Sequence, residues 1–113
     1  MKIAVTYEDG RIFQHFGHTE QFKIYETADG RIVRAEVVDT NGSGHGALAD
    51  FLMRQGVDAL ICGGIGGGAQ AALAEADIRL YGGASGEADA AVNAAIPAAA
   101  TAAADTAAIK RRS

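Results

Sequence analysis

Apolar residues in the first forty positions come in short runs that have the spacing of β-strands. Residues 2–6, KIAVT, form a continuous run rich in β-branched side chains, which is typical of a buried strand. In residues 21–26 apolar and polar positions alternate, which indicates a half-exposed strand. An Asp-Gly turn separates that run from residues 32–39, where the alternation continues. The pattern therefore predicts three strands, the second and third forming a hairpin.

The apolar spacing becomes helical after residue 46. Leu48, Phe51 and Leu52 share one face of a helix predicted over residues 47–55, and Gly56 offers a stop. Four more elements follow in the order strand, helix, strand, helix, over residues 57–62, 69–76, 78–81 and 87–96. The order β-β-β-α-β-α-β-α predicts an α/β protein in which helices cover both faces of one mixed five-stranded sheet.

The chain of 113 residues provides enough material for one domain. We assign residues 1–97 to this α/β domain. Residues 98–113 are rich in alanine and offer almost nothing large to bury, so we expect a frayed or disordered tail.

The predicted topology brings candidate metal ligands to one edge of the sheet. Strands one, three and four should point the same way, so the loops at their carboxyl ends share an edge. These loops carry His15 and His18, then His45, then Cys62. We expect them to converge there, because open α/β sheets usually bind ligands at that edge.

Charge and composition narrow the range of binding partners that we expect. The formal net charge of −4 argues against broad attraction to nucleic acid or to an anionic membrane, and no apolar run reaches membrane-spanning length. The single cysteine, Cys62, excludes an intramolecular disulfide and fits a reducing compartment. The start of the chain lacks the apolar region of a signal peptide. We therefore expect a cytoplasmic protein without nucleic-acid or membrane partners.

Cys62 stands directly before six residues of which five are glycine. Amides in such a loop can point inward, and the following helix adds its positive end, so we expect a lowered thiol pKa that favours metal-binding thiolate. A small buried hydrophobic residue is an equally good interpretation of Cys62. The three histidines can each ligate a metal or lie solvated in loops.

Other site types find little support. The ligand spacings of a structural zinc site are absent. The pattern G-x-G-x-x-A occurs at Gly64, Gly66 and Ala69, but it follows a late strand and no ribose-binding acid ends the next one. Neither Ser43 nor Ser85 belongs to a recognisable triad motif. We therefore expect no enzymatic activity.

Several segments together resemble the dinitrogenase iron-molybdenum cofactor biosynthesis family. They are the MKIAV start, HFG, HGALADFLMRQGVDALICGGIGGGA, and GASG, all in order within residues 1–96. This family comprises small cofactor carriers and the cofactor-binding domain of larger nitrogenase assembly proteins. The resemblance implies a ribonuclease-H-like three-layer α/β/α fold without nuclease activity. Consistent with this, the core of strand one lacks the carboxylate a two-metal nuclease needs.

The resemblance also implies a ligand and a site. The ligand is iron-molybdenum cofactor, its iron–sulfur precursor or a related metal–sulfide cluster. His15 matches the histidine of HFG and His45 that of HG, while Cys62 would be an additional soft ligand. Gly17 would let the cluster approach, Phe16 would pack beneath the loop, and we favour a surface role for His18. The expected binding residues are His15, Gly17, His45, Cys62, Gly63, Gly64 and Gly66, with His15, His45 and Cys62 as metal ligands.

The leading hypothesis is a non-enzymatic cluster carrier, a monomer or weak dimer, that serves a cofactor-assembly or acceptor protein. The second is a cluster-free regulatory or protein-interaction module on the same fold. A third, weaker hypothesis is a small enzyme that acts on an anionic metabolite.

Overall fold

The structure, a computed structural model, describes residues 1–41 and 45–96, with the backbone alone for residues 45 and 46. The predicted tail and Pro97 lie outside the described residues. Within the described chain the elements are β1 (Lys2–Glu8), β2 (Arg11–Ile12), the 3₁₀ turn η1 (Phe16–His18), β3 (Gln21–Ala28), β4 (Arg31–Asp39), α1 (His45–Arg54), β5 (Ala59–Ile61), α2 (Gly67–Glu75), β6 (Arg79–Tyr81) and α3, residues 88–96.

One mixed sheet organises these elements in the order β4-β3-β1-β5-β6, with the short β2 paired beside the end of β1. β3 is antiparallel to both β1 and β4, while β1, β5 and β6 are parallel. Strands β1, β4, β5 and β6 therefore point the same way, as the sequence predicts. The predicted ribonuclease-H-like α/β/α fold is confirmed, and β2 adds a sixth strand to the five expected.

Helices α1 and α2 cover one face of the sheet. Leu48 and Leu52 of α1 and Leu73 of α2 are fully buried against it. The sheet contributes alternate residues to this core, Ala4, Phe22, Ile24 and Leu60 among them. The helical spacing of the leucines explains why these segments fold as helices against a flat apolar surface.

Helix α3 covers the opposite face. Its buried residues Ala88, Val92 and Ile96 recur every four positions and form one helical stripe. They pack on the intervening sheet residues, Ile3, Val5, Tyr25, Ala59 and Ile61. The central strand β1 is therefore covered on both faces, which accounts for its continuous apolar run. No helix in the described part of the chain is long and apolar enough to cross a membrane.

The described elements add β2 and η1 to the predicted ones, and several bounds, the start of α2 among them, shift by up to two residues. β2 has only two residues, too few to show a period, and it forms because Tyr7 and Glu8 extend β1 far enough to pair with it. Helix α2 begins at Gly67 rather than Ala69. Glycine is unfavourable inside a helix but tolerated in its first turn, where backbone amides need no helical partner.

Candidate functional site

The HFG segment leads into the short 3₁₀ turn η1, with His15 as its cap residue. Phe16 is buried and its ring centroid lies 6.1 Å from that of Phe22 in the core, as the sequence analysis predicts. His15 and His18 are exposed, and their ring centroids lie 6.4 Å apart in an edge-on arrangement. Phe16 thus anchors the turn and leaves two imidazoles at the surface.

This turn is hydrogen-bonded to the glycine loop that follows β5. The Gly64 amide donates to the Gln14 carbonyl at 2.6 Å, and the Phe16 amide donates to the Gly64 carbonyl at 3.1 Å. Together they make a parallel bridge between His15 and Gly64. The predicted convergence of the HFG segment and the glycine loop at one sheet edge is therefore observed.

The close approach requires glycine at position 63. A Cβ added to Gly63 would lie 2.6 Å from Gln14 Oε1 and 2.9 Å from Gln14 Cα, distances that real Cβ atoms do not show. A Cβ on Gly64 would meet the Gln14 carbonyl oxygen at 3.3 Å. Gly63 and Gly64 are therefore contact glycines, which hold the loop against the histidine turn.

Between the turn and the loop lies an open pocket of about 290 Å³. Neither a carboxylate nor a cationic Lys or Arg side chain is among its lining residues. The lining residues opposite the two imidazoles are glycines and the apolar residues Ile65 and Ala69. The lining residues are His15, Phe16, Gly17, His18, Gly64, Ile65, Gly66 and Ala69.

The electrostatics of this pocket favour an anion. Helix α2 starts beside it, with Gly66 as a cap residue that supplies no side-chain hydrogen bond and with no acid in the first turn. The first backbone amides of a helix have no partner within the helix, and the helix dipole adds a partial positive charge there. Imidazoles and amides at one opening suit a ligand that combines metal with anionic groups.

Cys62 differs from the expectation. Its side chain is fully buried in the core beneath α1 and α2 and is not part of the pocket lining. Burial raises the pKa of the thiol to about 11, so the prediction of a lowered pKa was wrong. The reason is that desolvation of the thiolate outweighs the loop amides, since strand pairing turns this side chain away from the loop. A ligand role for Cys62 stays a prediction and requires the thiol to become accessible.

The other predicted residues have mixed outcomes. Gly17 is half-buried and, like Gly64 and Gly66, lines the pocket. The side chain of His45 lies outside the described residues, so its position is not part of the site geometry. Within the ranges that the structure describes, no three His, Cys, Asp or Glu side chains come together as a metal cage. His18, assigned to the surface, is exposed and also lines the pocket.

Gln14 is the residue that sequence analysis missed. The side-chain amide of Gln14 donates hydrogen bonds to the carbonyls of Ile12 and Ala84, both at 3.2 Å. The backbone carbonyl of Gln14 accepts a hydrogen bond from the Gly64 amide. Gln14 thus joins three loops around the pocket. The sequence hints at this role in two ways. Gln14 stands next to His15, and the adjacent glycines Gly63 and Gly64 indicate that another segment comes close to them.

Comparison with known protein families shows which family the chain belongs to. The family described as dinitrogenase iron-molybdenum cofactor matches residues 1–98. The chain belongs to this family. The match includes the HFG segment, the glycine loop and α3, and therefore every residue of the pocket.

Individual proteins and solved structures are similar to this chain as well. An uncharacterised protein of Methanocaldococcus jannaschii is 33% identical over 87 residues, which cover 72% of this chain and 73% of that protein. The crystal structure of PH0822 is similar with a TM-score of 0.82 and 25% identity, covering 87% of this chain and 90% of that one. The apo form of the orange protein from Desulfovibrio gigas has a TM-score of 0.75 and 29% identity, with 87% and 88% covered.

Proposed function

We propose that this protein binds and carries iron-molybdenum cofactor, its iron–sulfur precursor or a related metal–sulfide cluster, and hands it to a cofactor-assembly or acceptor protein. The observation that carries this proposal is the shared pocket of the His15 and His18 imidazoles and the start of α2. Family membership supports the same ligand class. The protein acts here as a carrier, and the cluster is its cargo.

The residues of the pocket suit such a cargo. A neutral imidazole nitrogen is a ligand for iron and for molybdenum-type centres, and His15 offers one at an exposed position. Backbone amides at the start of α2 can donate hydrogen bonds to sulfides and offset their negative charge. Gly17 and Gly66 place no side chain between the backbone and the ligand.

The openness of the site suits a carrier more than an enzyme. One or two imidazoles at the surface hold a preassembled cluster while leaving most of it accessible to the protein that receives it. A reducing cytoplasm would protect both an oxygen-sensitive cargo and the lone Cys62 thiol.

The test is anaerobic loading. Purified protein is mixed with iron, sulfide and molybdate, unbound metal is removed, and bound metal and visible absorption are recorded. The parent protein should retain stoichiometric metal with charge-transfer bands, and His15→Ala should lose most of both. His18→Ala measures the share of the second imidazole. Arg54→Ala, an exposed change at the far end of α1, serves as the control and should load like the parent.

A Cys62→Ala variant tests the predicted cysteine ligand separately. Because Cys62 is buried away from the pocket, this variant should load cluster as the parent does.

Equal loading of the parent and His15→Ala would refute the site. Colourless, metal-free parent protein would refute the carrier and favour the cluster-free interaction module.

A further inference from the structure

Strand β4 forms one border of the sheet. Among residues 1–41 and 45–96, it is hydrogen-bonded to β3 on one side and to no strand on the other. It is also long, with nine residues, or about 30 Å of extended backbone. A long border strand presents a row of backbone donors and acceptors that can pair with another strand.

The charges along β4 have an unusual symmetry. Its sequence, RIVRAEVVD, carries Arg31 and Arg34 before Ala35, and Glu36 and Asp39 after it. Arg34 and Glu36 each lie one position from Ala35, and Arg31 and Asp39 each lie four positions from it. Two apolar residues separate the two charges on each side.

We propose that β4 pairs antiparallel with β4 of a second copy of this chain, about a two-fold axis at Ala35. In this register Arg34 of each copy lies opposite Glu36 of the other, and the outer charges Arg31 and Asp39 are complementary at the strand ends. Opposite charges across a strand pair stabilise it, while like charges destabilise it. Such a dimer joins the two sheets into one and has the isologous symmetry common in homodimers.

Other registers lose this complementarity. An axis at Arg34 or at Glu36 places that residue opposite its own copy, so that like charges meet. An axis at Val33 places Arg34 opposite Ile32 and Glu36 opposite Gly30. An axis at Val37 places Glu36 opposite Val38 and Arg34 opposite Thr40, so neither axis pairs these two residues with an opposite charge. The register centred on Ala35 also places the middle of the nine-residue strand at the axis. Charge and length thus select the same arrangement.

The exposed apolar residues favour this surface as well. Val33 is 58% exposed and Val37 is 43% exposed, and both lie on β4. Only one other large apolar side chain of the described chain, Met53 on α1, is comparably exposed. In a β4 dimer, Val33 and Val37 lie next to the partner strand rather than in water, which adds apolar burial to the charge pairing.

Interactions within one chain leave Arg34 available. It lies 3.6 Å from Glu26 and 3.7 Å from Glu36, in pairs whose side chains are at least 40% exposed. Exposed ion pairs of this length contribute little, so they can be exchanged for contacts across the dimer. A register shift opposite Glu26 and Thr27 leaves Val33 unpaired with β3, which bends the strand and limits regular pairing to the centre.

Sedimentation velocity of the full chain, at concentrations up to about 1 mM, tests the proposal. The parent protein should show a monomer–dimer equilibrium. Arg34→Glu and Glu36→Arg should each weaken it by about tenfold or more, because two like-charged contacts then form per dimer. The control is Arg54→Glu, which makes the same charge change as Arg34→Glu on a side chain of equal exposure, 69% against 68%, and should dimerise like the parent.

Mixing the two weakened variants gives the sharpest result. An equal mixture of Arg34→Glu and Glu36→Arg should form a heterodimer with parent-like affinity, because each contact across the axis is again between opposite charges. A purely internal role for these residues predicts no such recovery. A strictly monomeric parent, a dimer that neither variant weakens, or a mixture without heterodimer would each overturn the proposal. The second of these outcomes would assign dimerisation to another surface.

Discussion

Gly63 is the residue on which the geometry of the pocket depends most directly. Replacing it with alanine would place a methyl group 2.6 Å from Gln14 Oε1, 2.8 Å from Cδ and 2.9 Å from Cα. The side chain of Gln14 could move, but its backbone carries the hydrogen bond to Gly64. We expect Gly63→Ala to lower the free energy of unfolding by about 1–3 kcal/mol and to reduce cluster loading.

Urea unfolding followed by circular dichroism measures the loss of stability in Gly63→Ala. Gly68→Ala provides a matched control. Nothing lies within 4 Å of a Cβ added to Gly68, which is in the first turn of α2. Because alanine is the better helix former, this variant should be neutral or up to about 1 kcal/mol more stable. Equal stability of the two variants would mean that the Gln14 contact does not restrict position 63.

Cys62 shows why a local motif misleads about a single residue. The sequence places it before a glycine loop and a helix, both of which favour thiolate. The strand alternation of β5 instead directs it into the core with Leu60 and Leu73, where desolvation raises the thiol pKa. The side of the strand on which a terminal residue lies depends on register, and three residues are too few to reveal it in the sequence.

At the scale of elements, Asp89 attaches α3 to the sheet by two hydrogen bonds beside the helix's apolar stripe. Asp89 accepts hydrogen bonds from Tyr25 Oη at 2.5 Å and from Lys23 Nζ at 2.9 Å. These bonds, that from Tyr25 foremost, hold the pKa of Asp89 below its usual value. The folded state therefore favours the carboxylate, and the contribution to stability is present above the pKa of the unfolded chain and lost as pH falls through the folded pKa.

We expect Asp89→Asn to be less stable than the parent by about 1 kcal/mol at pH 7. The difference should diminish as pH falls through the lowered pKa of Asp89, where the carboxyl group of the parent becomes protonated. Denaturant unfolding at several pH values measures the difference in stability between the two proteins. Asp50→Asn, in an exposed pair with Arg54 on α1, is the control and should change stability less. A difference that persists undiminished at low pH would show that the charge of Asp89 is not what stabilises α3.

Periodicity predicted most elements because most of them bury one face. The alternation in β3, the helical spacing of α1 and the apolar run of β1 each arise from packing, and the structure places them within two residues of the expected bounds. β2 was not predicted, because two residues are too few to show a period. It pairs with β1 across the two-residue turn Asp9-Gly10, where both residues have positive φ, so the Asp-Gly pair was the local signal for this hairpin.

At the scale of the whole molecule, topology predicted where the pocket lies but not how it is built. Strand directions follow from the order of hairpin and crossovers, so the meeting of the HFG segment and the glycine loop could be predicted. The bonds of Gln14 to the glycine loop and to the loop that contains Ala84 depend on distances between segments up to seventy residues apart. No spacing within one segment encodes them. The site was therefore predicted to the level of segments, and only in part to that of residues.

The location of the pocket between distant segments leads to a prediction about the whole fold. A cluster bound there contacts η1, which follows β2, and the start of α2, which follows β5, so that unfolding either segment releases it. A ligand that binds only the folded state stabilises it by about 2.7 kcal/mol when its concentration is a hundred times the dissociation constant. For a domain of this size, that raises the melting temperature by about 10 °C or more.

Thermal unfolding of anaerobically loaded and metal-free protein, followed by circular dichroism, tests this expectation. The parent and Arg54→Ala should gain the same increase in melting temperature on loading, whereas His15→Ala should gain little, because it retains little cluster. If loaded parent protein held stoichiometric metal and yet melted at the metal-free temperature, the metal would bind the unfolded chain equally well. The pocket would then not be its site, since occupation of this pocket requires η1 and α2 to be folded together.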